Sequence, residues 1–368
     1  MYGERQRGLC RKLPTKYAFG STEYHVLRPG PKVEGKFLYY YTYNPVYRDY
    51  AETNMIGAAG QKRVSSRFLN YTRIHLPPKS EQCRIAAYLD ETCAAIDAAI
   101  GAKRRQLELL DALRKSIIHK AVTRGLDDSV ELKDSGAGFI GQIPRPWRVD
   151  RLKDVTTKIG SGITPEGGAT VYVDEGIPLF RSQNIHFDGL RLDDIAYITE
   201  EQHEAMSNTQ VYPGDVLLNI TGASLGRCHY VSDGFGEANV NQHVCIIRPI
   251  KKVFFKFLFY FISSDAGQRQ IFAGFRGASR QGLNIREIHA FVLPLPPTKE
   301  QHKICEYLDE KNTDFKKLKE NIETQIMTLQ QYRKSLIHEC VTGKRRVTED
   351  DLKDQHGERK EDCYYCGA

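Results

Sequence analysis

The chain carries one long stretch twice. Leu76-Pro77-Pro78-Lys79-Ser80-Glu81-Gln82 returns 219 residues later as Leu295-Pro296-Pro297-Thr298-Lys299-Glu300-Gln301, and the register then holds without a gap. Ile85 matches Ile304, Tyr88-Leu89-Asp90 matches Tyr307-Leu308-Asp309, and Arg114-Lys115-Ser116-Ile117-Ile118-His119 matches Arg333-Lys334-Ser335-Leu336-Ile337-His338. Val122-Thr123 and Val341-Thr342 close the two copies. So long a period lies beyond those of solenoid arrays, so the chain reads as two whole modules, each ending in one long helix.

Periodicity predicts the helices. Leu89, Cys93, Ile96, Ile100, Lys103, Leu107, Leu110, Arg114, Ile117 and Ala121 fall at alternating spacings of four and three, which is a heptad seam. The second copy gives Leu308, Asn312, Phe315, Lys319, Ile322, Ile326, Leu329, Arg333, Leu336 and Cys340. Thr298-x-x-Gln301 has the form of a capping box after the Pro-Pro stop, and Ser80 is the expected cap of the first copy. From Ser80 to Val122 such a helix runs roughly 65 Å at 1.5 Å per residue, too long to hide in one globule. The matching helix supplies a partner for its apolar stripe, and two equivalent helices packed antiparallel place their attached globules at opposite ends.

The 368 residues suffice for about two domains, with 40% hydrophobic content to build their cores. The sequence lacks both an apolar run of membrane-spanning length and the apolar stretch of a secretory signal near Met1, so a cytoplasmic protein is expected. Cysteines such as Cys93 and Cys340 sit at apolar helix positions, as small hydrophobes in a reducing compartment do. A net charge of +7 leans toward a polyanionic partner.

The first module starts in its own middle. Gly8-Leu9-Cys10, Tyr24-His25-Val26, Arg28-Pro29 and Phe37-Leu38-Tyr39-Tyr40 resemble Gly226-Arg227-Cys228, Gln242-His243-Val244, Arg248-Pro249 and Phe257-Leu258-Phe259-Tyr260. A complete counterpart of the second module would open about eighty residues before Met1. The expected layout is a partial first domain at 1–76, a long helix at 77–124, a linker and complete second domain at 125–296, a second long helix at 297–345 and a polar, disordered tail at 346–368. Within the second domain, Ile177–Phe180, Val216–Ile220 and His243–Ile247 read as strands, and Glu200–Ser207 and Phe254–Ser263 as helices. Strands and helices do not alternate regularly, so the class is α+β: two mixed α/β globules, the first incomplete, joined by two long antiparallel coiled-coil helices.

Several motifs in order carry a resemblance. Gln142-Ile143-Pro144-x-x-Trp147 is followed by Gly162-x-Thr164-Pro165 and by Gly176-Ile177-Pro178-x-x-Arg181-Ser182-x-Asn184-Ile185. Pro213-Gly214-Asp215-Val216-Leu217, Thr221-Gly222-Ala223-Ser224-x-Gly226-Arg227, Asn241-Gln242-His243-Val244 and the Pro-Pro-x-x-Glu-Gln helix start come next. With the duplicated helix, this series resembles the specificity subunit of type I restriction-modification systems, across the whole second module and the later part of the first. The resemblance implies that each module is a target recognition domain followed by a conserved helix. It implies double-stranded DNA as the ligand, methyltransferase (M) subunits as partners and a restriction (R) subunit joined through them, with no cofactor, metal or catalytic residue in this chain.

Base edges are read by Arg, Asn, Gln, Ser and Thr on loops, while Lys and Arg neutralise phosphates. The candidates are Arg181, Gln183, Asn184, Thr221, Ser224, Arg227, Asn241 and Gln242, together with Arg276, Arg280 and Gln281 in a glycine-containing loop and Lys62 and Arg63 in the first module. For Asn184, Thr221 and Asn241 the alternative is that they satisfy buried turn backbones. Two different globules on one chain would read two different half-sites, with the helices setting a separation of about one DNA turn, ~34–36 Å, or somewhat more.

Other chemistries are weaker. Asn44-Pro45-Val46-Tyr47 resembles the Asn-Pro-Pro-Tyr motif of adenine methyltransferases, but Val46 replaces a proline and no glycine-rich cofactor strand precedes it, so a chance turn is expected. Cys363 and Cys366 have the spacing of half a zinc site without a second pair. His119 and His338 recur at one helix position, as packing or capping residues do. Tyr39-Tyr40-Tyr41 is expected in the core. The competing readings are a truncated fragment acting as a coiled-coil scaffold or needing a second fragment to bind DNA, and an enzyme with its own methyltransferase or nuclease site.

Overall fold

The structure, a computed structural model, describes residues 9, 20–21, 24–57, 62–273 and 282–353. It divides into one unit of residues 1–108 and 319–368 and another of residues 109–318.

In the first unit α1 (Gly35–Tyr41) and α2 (Pro45–Thr53) lead to the short antiparallel strands β1 (Met55–Ile56) and β2 (Arg63–Val64), then α3 (Ser66–Tyr71) and the long α4 (Lys79–Arg124). Asn44 caps α2 with Pro45 in its first turn, and its Oδ1 also lies 2.9 Å from His338 Nδ1 of the second long helix, so Asn-Pro serves a cap and a packing contact here. Phe37, Tyr40 and Tyr41 bury against Ile85, Tyr88, Leu89 and Cys93 of α4, so the tyrosine run is core.

The second unit holds β3 (Leu132–Asp134), β4 (Gln142–Pro144), β5 (Arg148–Arg151), β6 (Thr156–Ser161), β7 (Ile177–Phe180), β8 (Ile185–His186), β9 (Gly189–Leu190) and β10 (Ala196–Ile198). After α5 (Glu200–Ala205) come β11 (Val216–Asn219), β12 (Cys228–Tyr230), β13 (Asn239–Val240) and β14 (Val244–Pro249). The helices α6 (Phe255–Ser263), α7 (Asp265–Ala273) and α8 (Ile285–His289) precede β15 (Val292–Leu295) and the second long helix, α9 (Thr298–Val341). An antiparallel sheet in the order β12-β11-β14-β6 forms the centre, beside a smaller sheet in the order β10-β7-β13.

Alternate residues of the central strands serve two cores. Val216, Leu218, Cys245 and Ile247 pack with Trp147, Phe257 and Phe261, whereas Leu217, Val244 and Ile246 pack with Phe180, Val231 and Val240. Burial of both faces is why these strands read as unbroken apolar runs.

The two long helices pair in opposite directions within each unit. In the first, Cys93, Ile96 and Ile100 share a core with Leu336, Ile337 and Cys340, and Arg333 pairs with Asp97 at 3.0 Å. In the second, Ile118, Ala121 and Val122 share a core with Ile304, Cys305 and Leu308, and the Arg114 Nε donates to Asn312 Oδ1 at 2.7 Å. Arg114 and Arg333 hold the same repeat position, but their partners do not: the counterpart of Asn312 is Cys93 and that of Asp97 is Lys316, so the two arginines use the same place on the helix with different partners.

The helix starts differ from expectation. α4 begins at Lys79, which puts Ser80 inside its first turn rather than at the cap. No capping box forms at Thr298. The Gln301 Oε1 instead accepts from the Phe254 N–H at 2.7 Å, and its amide nitrogen donates to the carbonyls of Pro296 at 2.9 Å and Lys252 at 3.1 Å. Gln82 ties Glu34, Lys32 and Pro77 in the same manner.

Candidate nucleic-acid interface

The candidate surface is built from loops at one end of the central sheet, where β6 and β11 finish and β14 begins. Gly162 continues β6 and donates its N–H to the Val244 carbonyl at 3.0 Å. A Cβ on Gly162 would lie 1.9 Å from the Val240 oxygen, so only glycine lets this loop pass against Val240 and Asn241. Two residues on, the Thr164 hydroxyl donates to Gln242 Oε1.

The polar contacts then run across the sheet end. The Gln242 Nε2 lies 3.1 Å from His243 Nε2, and His243 Nδ1 lies 2.7 Å from the Thr221 hydroxyl. Thr221 bridges to Gly282, whose neighbour Leu283 donates its N–H to the Ile220 carbonyl at 2.7 Å. The turn after β11 returns through Gly226, at φ +83°, so that the Gly226 N–H reaches the Asn219 carbonyl at 2.9 Å. Ser224 and Arg227 stand on this turn, half-buried.

Residues 181–184 join the same end through β11. The Asn219 Nδ2 donates to the Ser182 carbonyl at 2.7 Å, and the Asn241 N–H donates to the Phe180 carbonyl at 3.0 Å. Asn184 is buried and spends its side chain on the Arg181 N–H at 2.9 Å and the carbonyls of Arg191 and Asp194 at 3.0 and 3.1 Å. Asn241 is buried too, its Oδ1 accepting from the His243 N–H at 3.1 Å. Both asparagines therefore hold turns, and the Thr221 hydroxyl is engaged by His243. Arg181 and Gln183 face Asp194, with the Gln183 Nε2 donating to its carboxylate at 2.6 Å and the Arg181 Nη2 to its carbonyl at 2.9 Å.

The structure thus gathers Arg181, Gln183, Asn184, Thr221, Ser224, Arg227, Asn241 and Gln242 at one sheet end. Lys62 and Arg63 are exposed on and beside β2 in the other unit. Arg276, Arg280 and Gln281 lie outside the described residues. Among the gathered groups, Gln183 and Gln242 are exposed and the turn side chains support them from beneath. Amides and a guanidinium on loops can hydrogen-bond base edges and phosphates.

Sequence reasoning missed Thr164, His243 and Asp194 as members of this surface. Thr164 and His243 stand inside the motifs Gly162-x-Thr164-Pro165 and Asn241-Gln242-His243-Val244, which is the signal that could find them; Asp194 lies in no motif.

The family described as type I restriction modification DNA specificity domain matches residues 12–109 and 144–328. The type I restriction enzyme EcoBI specificity subunit of Escherichia coli is 26% identical over 257 residues, covering 68% of this chain and 53% of that protein. The putative type I restriction enzyme MjaX specificity subunit of Methanocaldococcus jannaschii is 25% identical over 337 residues, covering 88% of this chain and 71% of that protein. The chain thus spans about half the length of the first of these relatives. A solved chain described under "Structural basis underlying complex assembly and conformational transition of the type I R-M system" shares the fold, with a TM-score of 0.68 and 18% identity over 85% of this chain and 72% of its own.

Proposed function

The chain belongs to the type I restriction-modification DNA specificity family, and from that premise we propose that it is the sequence-reading component of such a complex. It binds a two-part double-stranded DNA target and positions methyltransferase subunits on it, with a restriction subunit joining through them. It reads and does not catalyse, and it works in the cytoplasm; no helix among its described residues is long and apolar enough to cross a membrane.

The observation that carries this reading is the meeting of five separate segments, around residues 162–165, 181–184, 219–227, 241–243 and 282, at one end of the central sheet. Core packing needs none of their exposed amides. The second unit contributes the reading surface, with Gln183, Gln242 and Arg227 at its front and Asn184 and Asn241 behind. Lys62 and Arg63 supply phosphate contacts from the first unit, and Arg276 and Arg280 from the glycine-containing loop.

The test pairs the purified chain with its methyltransferase partner. It should bind one bipartite sequence with steep salt dependence, and the methylated positions in cells expressing both should define two separated half-sites. In the chain alone, Gln242→Ala and Arg227→Ala should each weaken binding to that sequence by about tenfold, with melting unchanged. Binding without sequence preference or salt dependence refutes the reading.

A further inference from the structure

Asp194 is an acid on the sheet-end surface that the proposed function sets against DNA. Its side chain is 85% exposed, yet it engages the two most versatile base-reading groups of the 181–184 segment. Gln183 Nε2 donates to its Oδ2 at 2.6 Å, and its Oδ1 stands 3.6 Å from Arg181 Nη2. The main-chain carbonyl of the same residue accepts from Arg181 and Asn184, which holds the backbone that carries the carboxylate. Arg181 is only 24% exposed, lies 5.9 Å over the Tyr172 ring, and has a buried Nε that makes no hydrogen bond among the described residues. Its Nε is therefore a donor without a partner among the described residues.

A carboxylate on the surface that the proposed function sets against DNA opposes every duplex alike. Only a duplex that offers acceptors to Arg181 and Gln183, such as guanine O6 and N7 or the adenine edge, returns what breaking their contacts with Asp194 loses. We propose that Asp194 is a specificity-determining residue that keeps Arg181 and Gln183 away from indiscriminate phosphate contacts, so that affinity for non-cognate DNA is held down more than affinity for the target. This rests on the reading of the chain as a DNA-sequence reader.

Asp194→Asn separates charge from shape, because its amide oxygen can still accept from Gln183. Asp194→Glu keeps the charge. The probe is a labelled duplex of random sequence titrated against the full chain at several salt concentrations. Asp194→Asn should tighten random-duplex binding about five- to tenfold and steepen the logarithmic salt slope by about one, whereas Asp194→Glu should stay near the wild type. Selection from a random pool should enrich the preferred sequence less with Asp194→Asn. If Asp194→Asn melts like the wild type and binds the random duplex no more tightly, the residue is only a turn group and the inference is wrong. If the wild type and both variants fail to bind any duplex at low salt, the DNA-reading function itself falls, and this inference with it.

Discussion

At the residue scale the groups that matter are held by both neighbouring and remote partners. His229 is enclosed by Tyr230, with ring centroids 4.6 Å apart, and by Phe259 at 5.0 Å. Burial pushes its imidazole down to about 4, with the Asp188 carboxylate opposing the shift. The unfolded chain protonates this histidine near pH 6.5 and the folded chain does not, so its contribution is complete above that pH and is lost as pH falls toward 4. The depression corresponds to about 3 kcal/mol. Wild type should therefore lose urea resistance between pH 7 and 4.5 more steeply than His229→Phe, and parallel profiles would refute this. The motifs around Asn184, Thr221 and Asn241 are visible in the sequence, but their division between reading and support is not. Asn184 is committed by the carbonyls of Arg191 and Asp194, and Thr221 by His243, partners that only the folded strands bring close.

At the element scale the repeat is a repeated joint. Lys256 and Tyr260 of α6 both reach Asp309 of α9, and Lys36 and Tyr40 of α1 both reach Asp90 of α4. Gln301 and Gln82 add the backbone ties described above, so each short aromatic helix is locked to the start of a long one. The seam of the long helices could be read from spacing, because a 3.5-residue period survives without tertiary knowledge. The joint could not: Glu-Gln after Pro-Pro reads locally as a helix start, whereas Gln301 answers to the Lys252 carbonyl and the Phe254 N–H, 49 and 47 residues upstream. Gln301 is 1% exposed, and Gln301→Ala leaves buried backbone groups unpaired, which costs about 3 kcal/mol. Amide exchange at Phe254 should accelerate and the second unit should melt earlier, while Gln82→Ala should act on the first unit. Unchanged protection at Phe254 would contradict this role.

At the scale of the whole molecule, α4 and α9 each belong to both units. Residues 79–108 of α4 are anchored in the first unit by Ile85, Leu89, Cys93, Ile96 and Ile100, and residues 109–124 in the second by Ile118, Ala121 and Val122. Each part of the helix has its own packing, so a break between the anchors leaves both units a core. Arg105 and Thr324 are exposed and occupy the same repeat position in the two helices. Proline there removes a backbone donor and clashes with the preceding turn, at about 3 kcal/mol or more per helix. For a reader of two half-sites, unbroken helices between the readers keep the second half-site at high effective concentration once the first is bound. The double variant Arg105→Pro, Thr324→Pro should thus retain the melting transitions of both units and its affinity for a duplex carrying one half-site. Its affinity for the full two-part target should fall on the order of a hundredfold. Titrating both duplexes at one salt concentration separates the outcomes. Equal loss on both would mean that the breaks damaged the reading surface, and no loss on either would mean that the long helices do not couple the two readings.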